Sequence, residues 1–324
     1  MTGLDYVAKR VAFAIVTIFA AVTLNFILFR AIPGDAVQAL RCQHCTVQFK
    51  NALREELGLD KSRWEQYKLY LADLAHGDLG SSVRSQQPVW DELWPSIKNT
   101  LPMITLGYLF AIILGTVVGV VAAWRRGTAV DKGGLWTGLG FYSMPPQWLG
   151  MMIVLFVAGA VGLPTSGIKD PTLGILEDAT TLEIVVDRLR HMILPALTIG
   201  LVLYGEYALI VRSAMLETLG EDYVLTARAK GFKPRTVLRK HALRNAMLPI
   251  TTLVALSLGY IVAGAILVET VFSWPGIGRA VYDAVLQRDY PMLQGAFLVL
   301  TVSVVFFNLV ADLLYFKLDP RITE

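Results

Sequence analysis

PMITLGYLFAIILGTVVGVVAAW, residues 102–124, contains no charged side chain. Its length matches the ~20 apolar residues that a helix needs to cross ~30 Å of hydrocarbon. It has no polar face to turn toward water, so it reads as a membrane span. Comparable runs fall at about 11–30, within 134–161, and at about 193–211, 248–268 and 294–316. Six spans are therefore predicted. Because a spanning segment must satisfy its own backbone groups, the expected class is an all-α polytopic membrane protein. The first run is too long for a signal-peptide core and no convincing A-x-A cleavage site follows it, so it reads as a retained helix.

Composition agrees. Of 324 residues, 55% are hydrophobic and 17% charged, and the mean hydropathy is +0.54. Two cysteines and four histidines cannot assemble a Cys/His zinc site of the usual spacing, so no metal is expected. The net charge of +3 matters less than where the charges stand. Basic residues cluster at Lys9 and Arg10, at Arg125, Arg126 and Lys132, from Arg212 to Arg244, and at Lys317 and Arg321. These are alternate connections between six spans. The positive-inside rule puts them, and both termini, in the cytoplasm.

The predicted organisation is then a cytoplasmic tip and first span over 1–30, an extracytoplasmic helical subdomain over 31–99, a five-helix core over 100–317 and a tail over 318–324. In the subdomain, Val47–Leu57 and Trp64–Leu74 have helical periodicity, the latter with Trp64, Tyr67, Leu71 and Leu74 as its apolar face.

Against this background TARAKGFKPRTVLRKHALRNAMLP, residues 226–249, is an anomaly. It has seven Lys or Arg and no acid, within the predicted cytoplasmic loop 213–247. Glu221 and Asp222 suit a first helical turn, Lys230 closes that helix, and Gly231 offers a left-handed stop. Pro234 can open a second helix with Leu238, Ala242 and Ala246 on one side. Small Ala227 and Ala229 would let the first helix sit close against a partner. Three readings compete: a topology signal touching anionic lipid, a nucleic-acid site, and a docking element for a cytoplasmic protein. No aromatic residues interleave with the charges for base stacking, which argues against nucleic acid. A glycine at a fixed turn, with small residues before it and Leu248-Pro249 after it, favours docking.

Thr226-Ala227, Gly231 and Leu248-Pro249 resemble the cytoplasmic loop of ATP-binding-cassette importer permeases. The form YV-x-TARAKG over 223–231 is similar to the dipeptide/oligopeptide/nickel branch. So are LGLDKSRWEQYKLYLADLAHGDLGSS (57–82), QPVWDEL (87–93), ETVFSWPGIGRAVYDAVLQRDYP (269–291) and LDPRI (318–322). The resemblance implies the type I importer permease fold. It also implies that Tyr223, Thr226, Ala227, Arg228, Ala229, Lys230, Gly231, Leu248 and Pro249 couple to a separate ATPase subunit. Leu225 stands where the family's glutamate would be, which excludes a salt bridge from that position. The expected partners are a second similar permease, ATPase subunits holding ATP and Mg, an extracytoplasmic solute-binding protein and the bilayer. No cofactor is expected on this chain, because it contains no G-x-x-x-x-G-K-[ST] phosphate loop. It is read as a non-enzymatic transport subunit that moves peptides across the cytoplasmic membrane of a prokaryote.

Polar groups inside spans are functional candidates by default. Glu206 and Asn25 are the two here. Glu206 could line the pathway and bind a peptide amino group, or pair with a basic residue of another helix. Ser143-Met144-Pro145-Pro146 must interrupt the helical ladder, as a gate or as a packing kink. Trp274, Pro275, Gly276 and Gly278 form a re-entrant turn at the outer mouth, and by resemblance this turn also receives cargo from the binding protein. Cys42 and Cys45 would lie in an oxidising space and are read as a local disulfide, with two free thiols as the other reading. The rival function is a self-sufficient ion-coupled transporter with Glu206 as its coupling acid. The pair of broken helices in repeated halves expected of such a protein is missing.

Overall fold

A computed structural model describes residues 3–31, 46, 48, 54–55, 60–174, 180–247, 250–251, 253–254, 257 and 266–318. Among them there is no β-strand, only an isolated bridge between Ser81 and Pro88. In chain order the helices are α1 (Gly3–Ala31), α2 (Arg63–Ala75), α3 (Val89–Trp124), α4 (Ala129–Tyr142) and α5 (Pro146–Ile153). α5 continues through a π-helical turn, Val154–Ala158, to Val161. Then come α6 (Thr181–Leu219), α7 (Asp222–Ala229) and α8, which joins Pro234–Thr236, a π-helical turn Val237–Ala242 and Leu243–Ala246. α9 (Ile266–Val271), α10 (Ile277–Gln287) and α11 (Tyr290–Leu318) complete the order.

Helices α1, α3, α6 and α11 are long and apolar enough to cross a membrane. α4 and α5 qualify only as a pair bent by 106° at the Ser143–Pro145 break. Most of the fifth predicted span, 248–268, lies outside the described residues, as do most of Val47–Leu57 and both Cys42 and Cys45.

Two helices extend well past their apolar cores. α3 begins at Val89 rather than near residue 102, with Asp91 and Glu92 in its first turn, where carboxylates complement the helix dipole. α6 begins at Thr181 rather than near 193. Its start is set by a capping box: the Thr180 hydroxyl accepts from Glu183 N–H, and Glu183 accepts from Thr180 N–H. Charged Asp187, Arg188 and Arg190 hide this first stretch from a hydropathy reading but do not stop a helix. At 1.5 Å per residue the 39 residues of α6 cover ~58 Å, so the helix projects beyond a ~30 Å hydrocarbon layer.

The chain divides into two compact units. The first holds residues 1–100, 262–266 and 276–324. In it α1 packs along α11, with an Arg10–Asp312 ion pair at 3.1 Å. Asn25 Nδ2 donates to the Gln294 carbonyl at 2.9 Å. α2 starts at a Ser62–Glu65 capping box. The Ser62 hydroxyl and N–H hold the exposed Glu65 carboxyl below the usual carboxylate range. The inward face of α2 is Gln66, Tyr67, Tyr70, Leu71 and Leu74, and Phe26 of α1 stacks on Tyr70 and meets Tyr67 at a tilt. Trp64, expected on that face, is 63% exposed. Phe26 is met from Tyr67 and Tyr70, which rotates the buried stripe away from position 64. Buried Asp289 accepts from the Ser82 hydroxyl at 2.5 Å and from Val83 and Met292 N–H groups, tying the 81–88 turn to the start of α11.

The second unit, residues 101–261 and 267–275, is built on α6. Gly107, Ala111, Gly115 and Gly119 make a stripe at four-residue spacing along α3. A Cβ on Gly119 would stand 2.6 Å from the Ala208 carbonyl oxygen, and one on Gly115 would stand 2.5 Å from Tyr207 Cβ. The stripe lets two backbones approach closely, the usual device where lipid supplies no hydrophobic drive between helices. α4 meets α6 in the same way, at Gly138 and Gly205.

Candidate functional site

The predicted helix, sharp turn and helix stand at the end of α6. α7 is two-faced. Val224 and Ala227 pack with Val237 of α8 and Leu219 of α6. Tyr223, Leu225, Thr226, Arg228, Ala229 and Lys230 are exposed. Ala227 was expected to face a partner, yet it is 4% exposed and belongs to the chain's own core. Burying its face roots α7 to α6, and the opposite face remains bare. Gly231, at φ +75°, ends the helix with two bonds: Gly231 N–H to Arg228 O at 2.9 Å and Phe232 N–H to Ala227 O at 3.3 Å. This is the Schellman arrangement, which needs a left-handed residue at that position.

α8 opens with Pro234 at its first position. Ala242 and Ala246 are buried against Ala123, Val211 and Met215, with Leu238 packed beside them. Asn245 Nδ2 donates to Tyr223 Oη at 2.7 Å, joining α8 to α7. Leu248 and Pro249 lie outside the described residues.

One part of this platform was missed from sequence. Arg212, near the end of α6, makes two hydrogen bonds to Asp131 of α4: Nε to Oδ1 at 2.7 Å and Nη2 to Oδ2 at 2.9 Å. Gly127 N–H adds a third bond to Oδ2 at 2.8 Å. The Asp131 side chain is 4% exposed. Asp131 precedes the predicted span 134–161 and read as part of a cytoplasmic connection, whereas α4 begins at Ala129 and places it in its first turn. No local pattern says that the partner lies 81 positions away.

Glu206 is half-buried on α6 and makes no hydrogen bond or ion pair with any described residue. The expected alternative, pairing with a basic residue, has no counterpart among the described residues. The amide nitrogen of Asn25, by contrast, is engaged in a buried contact between helices. At the α4–α5 break, Ser143 caps α4, its hydroxyl donating to Gly140 O at 2.9 Å. Met144 N–H reaches Phe141 O, and Pro145 and Pro146 start α5. The neighbouring Gln147 has a buried Oε1 with no partner among the described residues, a polar atom the sequence reading passed over.

The outer-mouth candidates face largely inward. Trp274 is fully buried, and its N–H donates to Glu269 O at 2.8 Å. Pro275 is exposed. Gly276 caps α10, and a Cβ on Gly278 would stand 2.8 Å from Ile266 Cα.

Comparison with known proteins places this geometry. Residues 115–324 match the family model described as "Binding-protein-dependent transport system inner membrane component". Residues 3–105 match the corresponding N-terminal model. The chain is 40% identical to the dipeptide transport system permease protein DppB of Escherichia coli (strain K12), with 98% of each chain covered. It is 40% identical to the di/tripeptide transport system permease protein DppB of Pseudomonas aeruginosa (strain UCBPP-PA14), again with 98% of each covered. It is 34% identical to the glutathione transport system permease protein GsiC of Escherichia coli O6:H1, over 98% of this chain and 99% of that one. The chain belongs to the family of binding-protein-dependent transport system inner-membrane components and has its all-helical type I importer permease fold.

Proposed function

We propose that this chain is the transmembrane permease subunit of a bacterial importer that carries small peptides across the cytoplasmic membrane. Separate ATP-binding-cassette ATPases drive it, holding the ATP and Mg that this chain has no motif to bind. The observation that carries the reading is the two-faced α7. It is rooted in the chain's own core through Val224 and Ala227 and bare along Tyr223, Leu225, Thr226 and Arg228. A helix fixed on one side and unpartnered on the other can transmit a push from a cytoplasmic subunit into α6. The cargo class follows from the relatives, whose names specify dipeptides, di/tripeptides and glutathione.

A second similar permease completes the pore, a solute-binding protein delivers cargo from outside, and both termini face the cytoplasm. Glu206 is the side chain available to meet the peptide's amino group, since its carboxylate has no partner among the described residues. The chain makes and breaks no bond. It alternates between outward and inward access, with the α4–α5 break as the gate.

Replacing Gly231 tests the reading. A β-branched side chain at φ +75° costs roughly 1–2 kcal/mol and unseats the end of α7 without touching a span. In the assembled complex, Gly231→Val should abolish peptide-stimulated ATP hydrolysis while membrane insertion remains normal. Stimulation that survives the change refutes coupling through α7.

A further inference from the structure

The foot of α6 also shapes a cavity, which shares Arg228 with the exposed side of α7. It holds ≈ 650 Å³, within the ~300–1,000 Å³ range of small-molecule sites. It lies wholly in the second unit, and its walls include Trp124, Arg126, Leu219, Arg228, Phe232 and Pro234. Among the described residues no carboxylate lines it. Arg126 and Arg228 are exposed, and neither forms an ion pair with a described residue. The acid nearest to Arg126 in sequence, Asp131, has both oxygens occupied by Arg212 and Gly127. Asp131 feels the charge of Arg126, but no carboxylate among the described residues is in the wall, and two like charges around one concavity raise a positive potential that draws an anion.

The other walls say which anion. Trp124 closes α3, a helix of membrane-crossing length, and is 38% exposed; Phe232 is 48% exposed. Trp124, at the end of a span, is where aromatic rings stand at headgroup level and an amphiphile changes from polar to apolar; Phe232, in the α7–α8 turn, adds a second ring to the same wall. A guanidinium fork matches phosphate oxygens two at a time. Basic pockets between spans on the cytoplasmic side are a recurrent way to hold lipid headgroups.

We propose that this cavity binds the phosphate headgroup of an anionic phospholipid. Arg126 and Arg228 take the phosphate, and Trp124 and Phe232 take the glycerol and the first methylenes. The lipid then wedges between the ends of α3 and α6 and the α7–α8 turn. If α7 couples as proposed above, the membrane's anionic lipid content sets how firmly the coupling helix is seated. Binding itself does not depend on that reading.

The full-length chain in mild detergent, given equal amounts of phosphatidylglycerol and phosphatidylcholine, is examined by native mass spectrometry for retained lipid. Phosphatidylglycerol should be retained preferentially. Arg126→Gln should lower that retention about tenfold, the loss of one charge-assisted hydrogen bond. Arg239→Gln, away from the cavity walls, should leave it unchanged. Equal retention of the two lipids by the unmutated chain, or equal phosphatidylglycerol retention by Arg126→Gln, overturns the proposal. Complete displacement of the lipid by excess inorganic phosphate also overturns it, making the cavity a free-anion site. If Arg126→Gln keeps its lipid but fails to pull down the ATPase subunit, the cavity is a protein interface and the lipid assignment is wrong. Retention is read without ATPase or peptide, so its failure leaves the import reading standing, and failure of the Gly231 test leaves lipid retention standing.

Discussion

Helices α1 and α6 would look alike to a hydropathy scan, yet they are differently placed. In α6, 56% of the best apolar window is buried within the chain; in α1 the figure is 22%. α6 is a post. It receives the glycines of α3, the Gly138 crossing of α4, the Asp131–Arg212 pair and the roots of α7 and α8. α1, in the other unit, is packed on one side only. It touches α11 and α2 along one side and leaves Phe13, Ile15, Val16 and Phe19 exposed for lipid or another subunit. A span's apolarity says that it enters the membrane, and not whether it carries the fold or covers it.

The sharpest way to break this contrast is at the buried charge. Arg212→Ala leaves the Asp131 carboxylate without its partner. Removing one member of a fully buried pair costs about 3–5 kcal/mol; with Arg212 22% exposed the loss is smaller than that, but the purified chain should still lose several degrees in Tm. Arg212→Ala combined with Asp131→Ala should recover much of that loss, because the stranded charge is gone. If the single and double variants are equally unstable, the pair is not what joins α4 to α6.

A middle-sized effect belongs to a polar tie of α1 away from its charged end, the Asn25 side chain. Asn25→Leu removes the side-chain donor to the half-buried Gln294 carbonyl, a hydrogen bond of about 0.5–1.5 kcal/mol net. Detergent-phase melting should shift less than for Arg212→Ala, with peptide-stimulated ATP hydrolysis per folded complex preserved. A selective loss of transport at unchanged stability would instead assign Asn25 to the pathway. The smallest effect is expected on the bare side of α1. Phe13→Ala, at a side chain 69% exposed, should change the melting temperature of the isolated chain by no more than surface substitutions do, within about 0.5 kcal/mol. A large destabilisation there would show that α1 is as deeply committed as α6.

The stop at Gly231, the Pro234 start and the inward side of α8 were legible in the sequence because each depends on residues within a few positions. So were the apolar spans, for which the solvent itself is the selector. The faces of α2 and α7 were less legible. Periodicity marks an apolar stripe, but the neighbouring rings of Phe26 and the side chains of Leu219 and Val237 decide where that stripe sits. Trp64 therefore turns out to water and Ala227 turns in. The Asp131–Arg212 pair was not legible at all, since a carboxylate has no local sign of which distant guanidinium it will meet.

By itself the sequence determined that this is a chain of membrane helices with a capped, basic helix pair between two of them, and that no phosphate loop is present to burn ATP. Those are matters of composition and short-range backbone chemistry. Only the tertiary structure decided that α6 is the post, that glycines let α3 and α4 close on it, and that Arg126 and Arg228, in no ion pair with a described residue, share a cavity with Trp124 and Phe232. Close approach and charge pairing are settled between residues far apart in the chain, where packing alone chooses the neighbours.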